Sequence, residues 1–261
     1  MIDTGTILLG GLGVLLAATF ALWLLSLSLR DASIVDIWWG VGFVLLAWTG
    51  YLLSGGDHPR RLLIAGLVTA WGLRLGLYLL RRNAGEGEDP RYVAMRRHHG
   101  DRFPWVSLFT VFWLQGFLQW VVGLPIQLTM AAPGAAGLGG LDLLGAAVFA
   151  VGLGFETIGD AQLARFRAEP ANDGRVMDRG LWRYTRHPNY FGDCVAWWGI
   201  FLVALGSPLG WLAVVGPAVM TFLLLRVSGV ALLERSIGKR RPAYAEYVRK
   251  TSAFIPRPPR P

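Results

Sequence analysis

The residues best suited to chemistry lie together between Arg183 and Asp193, at the edge of a long apolar segment. The stretch reads Arg-Tyr-Thr-Arg-His-Pro-Asn-Tyr-Phe-Gly-Asp, so cations, a histidine, two phenols, an amide and an acid follow closely on one another. Hydrocarbon tolerates such groups only where they pair with each other, line a wet cavity or hold a ligand. The stretch therefore predicts a binding site at a membrane edge. The alternative is a basic loop that only orients the protein.

Two acids, Glu156 and Asp160, lie one helical turn apart inside another apolar segment, and Arg167 follows two turns later on the same face. Arg167 would neutralise only one of the two carboxylates. Two acids on one face of a membrane helix therefore indicate a hydrogen-bonding ligand, such as ribose hydroxyls or an adenine amine. A purely structural network of acids and arginines is the alternative.

A third group of candidate residues lies in two apolar segments nearer the N-terminus. Asp36 lies near the start of one apolar segment, while Arg74 and Tyr78 lie one turn apart in the next. An Asp36–Arg74 ion pair is one interpretation. The other is that the Tyr78 phenol donates a hydrogen bond to a substrate carbonyl while Asp36 orients it.

The composition predicts an all-α, polytopic membrane protein, with one integral membrane domain over residues 1–261. The chain is 54% hydrophobic, and several of its apolar segments are long enough to cross a bilayer, which takes roughly 20 residues. The net charge of +8 comes from basic residues between these segments and at the C-terminus, a pattern that favours anionic lipid over nucleic acid as a partner. The seven predicted spans are 6–29, 33–54, 62–80, 104–131, 139–164, 190–206 and 208–233.

The arginine-rich joints predict which ends of the helices face the cytoplasm. With seven spans, the loops 81–103 and 165–189 and the tail 234–261 fall on one side, so we expect the C-terminus to be cytoplasmic, in a bacterial inner membrane. Arg60 and Arg61 lie on the other side, against this rule. The alternating charges of Glu88–Tyr92 indicate either a self-paired folded segment or a solvated loop. The four histidines lack metal-ligand spacing, so no metal is predicted.

Several of these residues together resemble a known family. The stretch Gly180–Asp193, preceded by Asp160-Ala-Gln and followed by Leu233-Glu234 and Tyr244-Ala-Glu-Tyr, resembles the DUF1295 family. That family is similar in turn to the C-terminal domain of steroid 5-alpha-reductases. The resemblance extends to Asp36–Gly40 and to Glu88–Tyr92, so it covers nearly the whole chain.

The resemblance implies a seven-helix reductase that buries NADPH between the cytoplasmic ends of its later helices. The substrate class would be a lipophilic enone, steroid-like or isoprenoid-like, that enters from the bilayer. The reductases hold the substrate ketone with a Gln-Glu pair and a His-Tyr element; Tyr78 matches the second, and Asp36 stands roughly in place of the first. The predicted cofactor-binding residues are Glu156, Asp160, Arg167, Arg175, Tyr184, Arg186, His187, Asn189, Asp193 and Arg226.

A second resemblance leaves another activity open. The pattern Arg186-His-Pro-x-Tyr-x-Gly192, the Leu233-Glu234 pair and the C-terminal Tyr-x-x-Tyr also resemble isoprenylcysteine carboxyl methyltransferases. Those enzymes bind S-adenosylmethionine in the corresponding place. Asp160-x-Gln162 and Asn189-Tyr-Phe favour the reductase interpretation, and a non-catalytic or transport protein is the third possibility.

Overall fold

The computed structural model describes residues 3–55, 58–133, 137–227, 230 and 244–260. These residues form helices and turns, with a single isolated β-bridge between Thr185 and Ser252, so the all-α prediction is confirmed for them. The predicted motif residues Leu233 and Glu234 and the start of the tail at 234 lie outside the described residues. The helices are α1 (Thr4–Leu29), α2 (Ile34–Leu53), α3 (Pro59–Asn83), α4 (Pro90–His99), α5 (Phe103–Ser107), α6 (Leu114–Val122), α7 (Leu124–Ala131), α8 (Gly140–Ala168), α9 (Pro188–Ala204), α10 (Val215–Phe222) and α11 (Tyr244–Lys250).

Six helical stretches of the described chain are long and apolar enough to cross a membrane, which fits an integral membrane protein. The predicted span 190–206 corresponds to α9, which has 17 residues and is not among the six. Seven spans, and the orientation that depends on that number, therefore stay predictions. The end of the last predicted span, 228–233, lies almost entirely outside the described residues. The six stretches are Thr4–Leu29, Ile34–Leu53, Pro59–Asn83, Pro90–Val122, Gly140–Ala168 and Gly210–Val227.

The segment predicted as the loop 81–103 is largely helical. It contains the last turn of α3 and the whole of α4, and helical structure then continues through a π-helical turn, Leu108–Trp113, into α6. This continuous stretch breaks at Gly123, inside the predicted span 104–131. A Cβ atom on Gly123 would lie 2.8 Å from the backbone carbonyl oxygen of Gln119 and 2.4 Å from Leu46 Cδ2, so glycine relieves a crowded position there.

The chain folds into two compact units. The first comprises Met1–Asp142 and Val203–Gly216, and the second comprises Leu143–Leu202 and Pro217–Pro261. In the first unit α2 packs closely on α3. The two backbones meet at Gly40, where a Cβ would lie only 2.4 Å from the carbonyl oxygen of Gly72. This contact fixes the two helices that carry Asp36 and Tyr78.

Arg60 and Arg61, which the positive-inside rule leaves unexplained, are engaged within the first unit. The Arg60 guanidinium forms a bidentate ion pair with buried Asp142, with Nε–Oδ1 at 2.6 Å and Nη2–Oδ2 at 2.9 Å. Its Nη1 donates to the carbonyl oxygen of Gly206 at 2.6 Å. Arg61 donates to the carbonyl oxygens of Ser54 and Ala132, at 3.0 and 2.6 Å. Because these contacts satisfy both guanidinium groups, the two arginines are structural residues.

Candidate functional site

Asp36 lies where two motifs of the first unit meet. The Tyr92 hydroxyl of α4 donates a 2.8 Å hydrogen bond to Asp36 Oδ1, and Arg91 Nη2 lies 2.6 Å from Oδ2. Tyr92 is 6% exposed, so this contact brings a buried phenol to a carboxylate that begins α2. The partner of Asp36 is therefore a tyrosine 56 residues away in the chain, which sequence reasoning did not identify.

Neighbouring contacts hold the start of α4 in place. Asp89 caps α4 by accepting from the backbone N–H of Arg91, and its own N–H donates to the Ser33 hydroxyl at 3.2 Å. Glu88 accepts from the N–H of Ala32 at 2.8 Å and pairs with Arg96 at 2.7 Å. The segment is thus self-paired, and the solvated-loop interpretation of its charges is wrong.

The carboxyls of Glu88 and Asp89 titrate below their ordinary values in this setting. Burial alone would raise the pKa of Glu88, but hydrogen bonds from Arg96 and from the Ala32 N–H, with the nearby Arg96 charge, outweigh burial and lower it. Burial alone would also raise the pKa of Asp89, but hydrogen bonds from Arg91 and its nearby charge outweigh burial and lower it. Both groups are therefore carboxylates at neutral pH.

Tyr78, the predicted donor to a substrate carbonyl, lies among arginines on α3. The Arg74 guanidinium carbon lies 5.4 Å from the centre of its ring, and that of Arg82 lies 6.0 Å away. Cations over an aromatic face are attracted by the negative charge of the π system. These contacts are made by the ring, which Tyr78→Phe retains while it removes the hydroxyl.

The acidic stripe of the second unit is buried. Glu156 and Asp160 on α8 are each 3% exposed, and the Asn189 side-chain amide donates a 3.0 Å hydrogen bond to Asp160 Oδ1. Asp193, one turn after Asn189 on α9, is 7% exposed. The structure therefore brings buried Asp160 and partly buried Asn189 together, as the prediction of a shared site requires.

Glycines explain how α8 and α9 approach closely enough for this contact. A Cβ on Gly192 of α9 would lie 2.4 Å from the backbone nitrogen of Glu156, and one on Gly152 of α8 would lie 2.3 Å from that of Ala196. Gly199 makes a similar approach to Phe149. Small residues at helix crossings permit such backbone contact in membrane proteins. These glycines therefore let the α8 backbone at Glu156 lie directly against α9.

The start of the polar stretch is fixed by the chain's C-terminal segment. The Arg186 side chain donates from Nη1 to the carbonyl oxygens of Val248 and Thr251, at 3.1 and 2.9 Å, and its backbone N–H donates to Ser252. The Thr185 hydroxyl donates to the carbonyl oxygen of Phe254 at 2.7 Å. Arg186 therefore has a structural role, holding the C-terminal segment, in addition to its predicted role in cofactor binding.

The remaining predicted cofactor residues differ in exposure. His187 is 3% exposed, and its ring stacks on that of Tyr190 with centroids 5.7 Å apart. The predicted set therefore combines buried and exposed residues. The exposed members are Arg167 at the end of α8, Arg175 and Tyr184 in the following segment, and Arg226 in the π-helical turn Leu223–Val227.

Metal ligands were not predicted, and the described ranges contain no cluster of three His, Cys, Asp or Glu residues that could hold a metal ion. The second unit also contains three buried carboxylates, at 156, 160 and 193. Carboxylates accept from hydroxyl and amine donors, and buried ones select for ligands that supply those donors.

Comparison with known proteins identifies relatives without a described activity. The chain is 26% identical to the uncharacterized protein C594.04c of Schizosaccharomyces pombe, over 90% of this chain and 76% of that protein. No solved structure matches this chain. The profile of the family described as "Protein of unknown function (DUF1295)" matches residues 22–251, a range that includes both the Asp36–Tyr92 contact and the acidic stripe of α8. The chain therefore belongs to the DUF1295 family.

Proposed function

We propose that this protein is a membrane-embedded, NADPH-dependent reductase of an activated carbon–carbon double bond in a lipophilic enone. The observation that carries the proposal is the pair of buried acids on α8, each 3% exposed, with the amide of Asn189 on one of them. Buried carboxylates in an apolar helix are costly, and a polar ligand offsets that cost. The resemblance of the surrounding residues to the steroid 5-alpha-reductases supports NADPH as that ligand.

The chemistry of the stripe fits a dinucleotide. Asp160 and Asn189 together offer acceptors and a donor to ribose hydroxyls and amide groups, while Glu156 and Asp193 add carboxylate acceptors. Exposed Arg167 and Arg175 supply the cations that nucleotide phosphates require. When bound, NADPH would supply the hydride that adds to the β carbon of the enone, and a proton from water would complete the reduction at the α carbon.

The role of Tyr78 is to stabilise the charge that develops on the carbonyl oxygen of the enone. Its ring lies near the guanidinium groups of Arg74 and Arg82, and a phenol is a neutral donor suited to an oxygen that becomes negative. Asp36, engaged by Tyr92 and Arg91, acts as a positioning residue for the ends of α2 and α4. We propose that the lipophilic substrate reaches Tyr78 from the hydrocarbon, because α3, which carries Tyr78, is long and apolar enough to cross a membrane.

The test is an assay of NADPH oxidation by the purified protein against a panel of lipophilic enones, with a control that contains no enone. Tyr78→Phe removes one hydroxyl and keeps the ring, so we expect turnover to fall roughly a hundred- to thousandfold. NADPH affinity should stay unchanged, because the interaction is made in the transition state. Tyr51→Phe, which removes a hydroxyl elsewhere in the first unit, is the matched control and should retain activity.

Binding measurements also distinguish the two alternative functions. A protein that is stabilised by S-adenosylmethionine and not by NADPH would be a methyltransferase, as the second resemblance implies. A protein that binds neither compound would be non-catalytic. Full activity of Tyr78→Phe would remove Tyr78 from the site and move the donor role to Tyr92 or Tyr190.

A further inference from the structure

A pocket of about 820 Å³ lies within the second unit, and its wall combines the segment 174–183 with α11 and Pro259. Four cations line it, together with the two carboxylates of Asp178 and Glu246. Lys250 already pairs with Glu246 at 2.8 Å. The described wall thus keeps an excess of two positive charges. The four cations are Arg175, Arg179, Arg183 and Lys250.

We infer that this pocket binds a phosphate group, carried either by a lipid headgroup or by a soluble phosphate compound. Arginine suits that role because its planar guanidinium forms paired hydrogen bonds with phosphate oxygens. Within the described ranges Arg179 and Arg183 make no ion pair with a carboxylate, although both are exposed. Their charges are therefore available to an anion from outside the chain.

The two parts of the wall are joined by hydrogen bonds. The backbone N–H of Arg257 donates to the carbonyl oxygen of Tyr184 at 2.9 Å, and the Tyr247 hydroxyl donates to that of Trp182. Gly180 takes a φ of +59°, and a Cβ there would lie 2.5 Å from the Gln162 amide, so the chain turns tightly against α8 at this point. The cations consequently stand on a fixed backbone, which lowers the entropic cost of binding an anion.

The location of the pocket favours phosphate over other anions. Segment 174–183 follows α8, a helix long enough to cross a bilayer, and precedes the apolar helix α9. Chain that follows a helix able to cross the bilayer, such as α8, emerges at the membrane surface, where headgroup phosphates are concentrated and attract basic residues. A phosphate in solution would reach the same pocket from the aqueous side.

The inference does not rest on the proposed reductase activity. Arg175 belongs to both the pocket wall and the predicted cofactor site, so the test leaves it intact. The double variant Arg179→Gln/Arg183→Gln removes two wall cations at exposed positions, where the fold does not depend on them. Arg249→Gln is the matched control, because Arg249 is an exposed cation of α11 beside Lys250 that lies outside the described wall.

The experiment titrates two probes into the full-length protein in detergent and reads the rise in melting temperature. One probe is pyrophosphate, and the other is phosphatidylglycerol in mixed micelles with phosphatidylcholine as the uncharged reference. We expect at least one probe to bind, with its apparent Kd raised roughly tenfold or more in the double variant and unchanged in Arg249→Gln. A response to pyrophosphate assigns a soluble source, and a response to phosphatidylglycerol alone assigns a lipid.

Three results would overturn the inference. The first is that neither probe stabilises the wild type, and the second is that Arg249→Gln weakens binding as much as the double variant does. The third is that the double variant responds to both probes as the wild type does; if it also loses NADPH binding, Arg179 and Arg183 are assigned to the cofactor. A wild type that binds a probe in this pocket but does not bind NADPH would leave the inference standing and remove the reductase proposal.

Discussion

The hydroxyl of Tyr92 donates a 2.8 Å hydrogen bond to Oδ1 of Asp36, and so connects the first turn of α4 to the first turn of α2. A carboxylate near the end of an apolar helix is thereby satisfied by a phenol and by Arg91. Contacts of this kind stabilise the folded state by an amount that depends on burial. Tyr92 is buried, so the hydrogen bond is expected to matter.

Replacing Tyr92 by Phe should lower stability. The change keeps the ring and leaves Asp36 with one fewer donor, so we expect the free energy of unfolding to fall by about 1–3 kcal/mol. The measurement is thermal or denaturant unfolding of the purified protein in detergent. Tyr78→Phe serves as the comparison, because we expect it to reduce turnover and to change stability less. Equal stability of Tyr92→Phe and wild type would show that the Asp36 contact contributes nothing.

The buried ion pair of Arg60 and Asp142 should be essential to the first unit. Asp142→Ala leaves a buried guanidinium without its carboxylate, and we expect a loss of about 3–5 kcal/mol. The double variant Arg60→Met/Asp142→Leu removes both charges and should recover much of that loss. Glu246→Gln, which breaks the exposed pair with Lys250, is the control and should leave stability unchanged. Additive losses in the double variant would contradict this account.

Close packing of α8 on α9 is tested by adding a single methyl group. Gly192→Ala puts a Cβ about where the Glu156 backbone lies, with 2.4 Å to its nitrogen, so the helices must separate. We expect a clear drop in melting temperature and weaker cofactor binding. Gly154→Ala adds the same group to α8 where nothing lies within 4 Å, and should be tolerated. A Gly192→Ala protein with wild-type stability would show that α8 and α9 accommodate the added methyl group without separating.

Acidification should loosen the docking of α4. The pKa of Glu88 is lowered from its ordinary value of 4.5, so its contribution to stability is full above that value and is lost as pH falls through the folded-state pKa. Asp89 acts in the same direction from an ordinary value of 3.8. We therefore expect the melting temperature to decline below about pH 4.5, and Glu88→Gln to show a shallower decline. A decline of equal steepness in Glu88→Gln would assign it to other groups.

Much of this fold follows from the sequence, because apolar length alone locates the long helices. The spacing of Glu156 and Asp160 places both on one face, and the structure finds both buried on α8. Local spacing succeeds here because a helix fixes the relation between residues four apart. The same reasoning places Arg74 beside Tyr78, which lie in contact.

Contacts between distant segments could not be predicted in this way. Tyr92 and Asp36 are 56 residues apart, and the charges of Glu88–Arg91 are equally compatible with a solvated loop until packing is known. In the predicted orientation Arg60 and Arg61 go against the positive-inside rule, which counts charges and takes no account of a carboxylate such as Asp142, 82 residues away from Arg60. The approach of Gly192 to Glu156 is likewise a property of packing, although glycine within an apolar helix is a usable signal of it.

The central claim is that the acidic stripe of α8 binds NADPH, and calorimetric titration of the purified protein tests it most directly. Asp160→Asn keeps an oxygen that can accept from Asn189 and removes the charge, so the variant should fold. We predict that wild type binds NADPH more tightly than NADH, that it does not bind S-adenosylmethionine, and that Asp160→Asn weakens NADPH binding by about 1–3 kcal/mol. Glu169→Gln, an exposed acid just beyond α8, should leave that affinity unchanged. Equal affinity for NADPH in wild type and Asp160→Asn, or binding of S-adenosylmethionine in place of NADPH, would contradict the account.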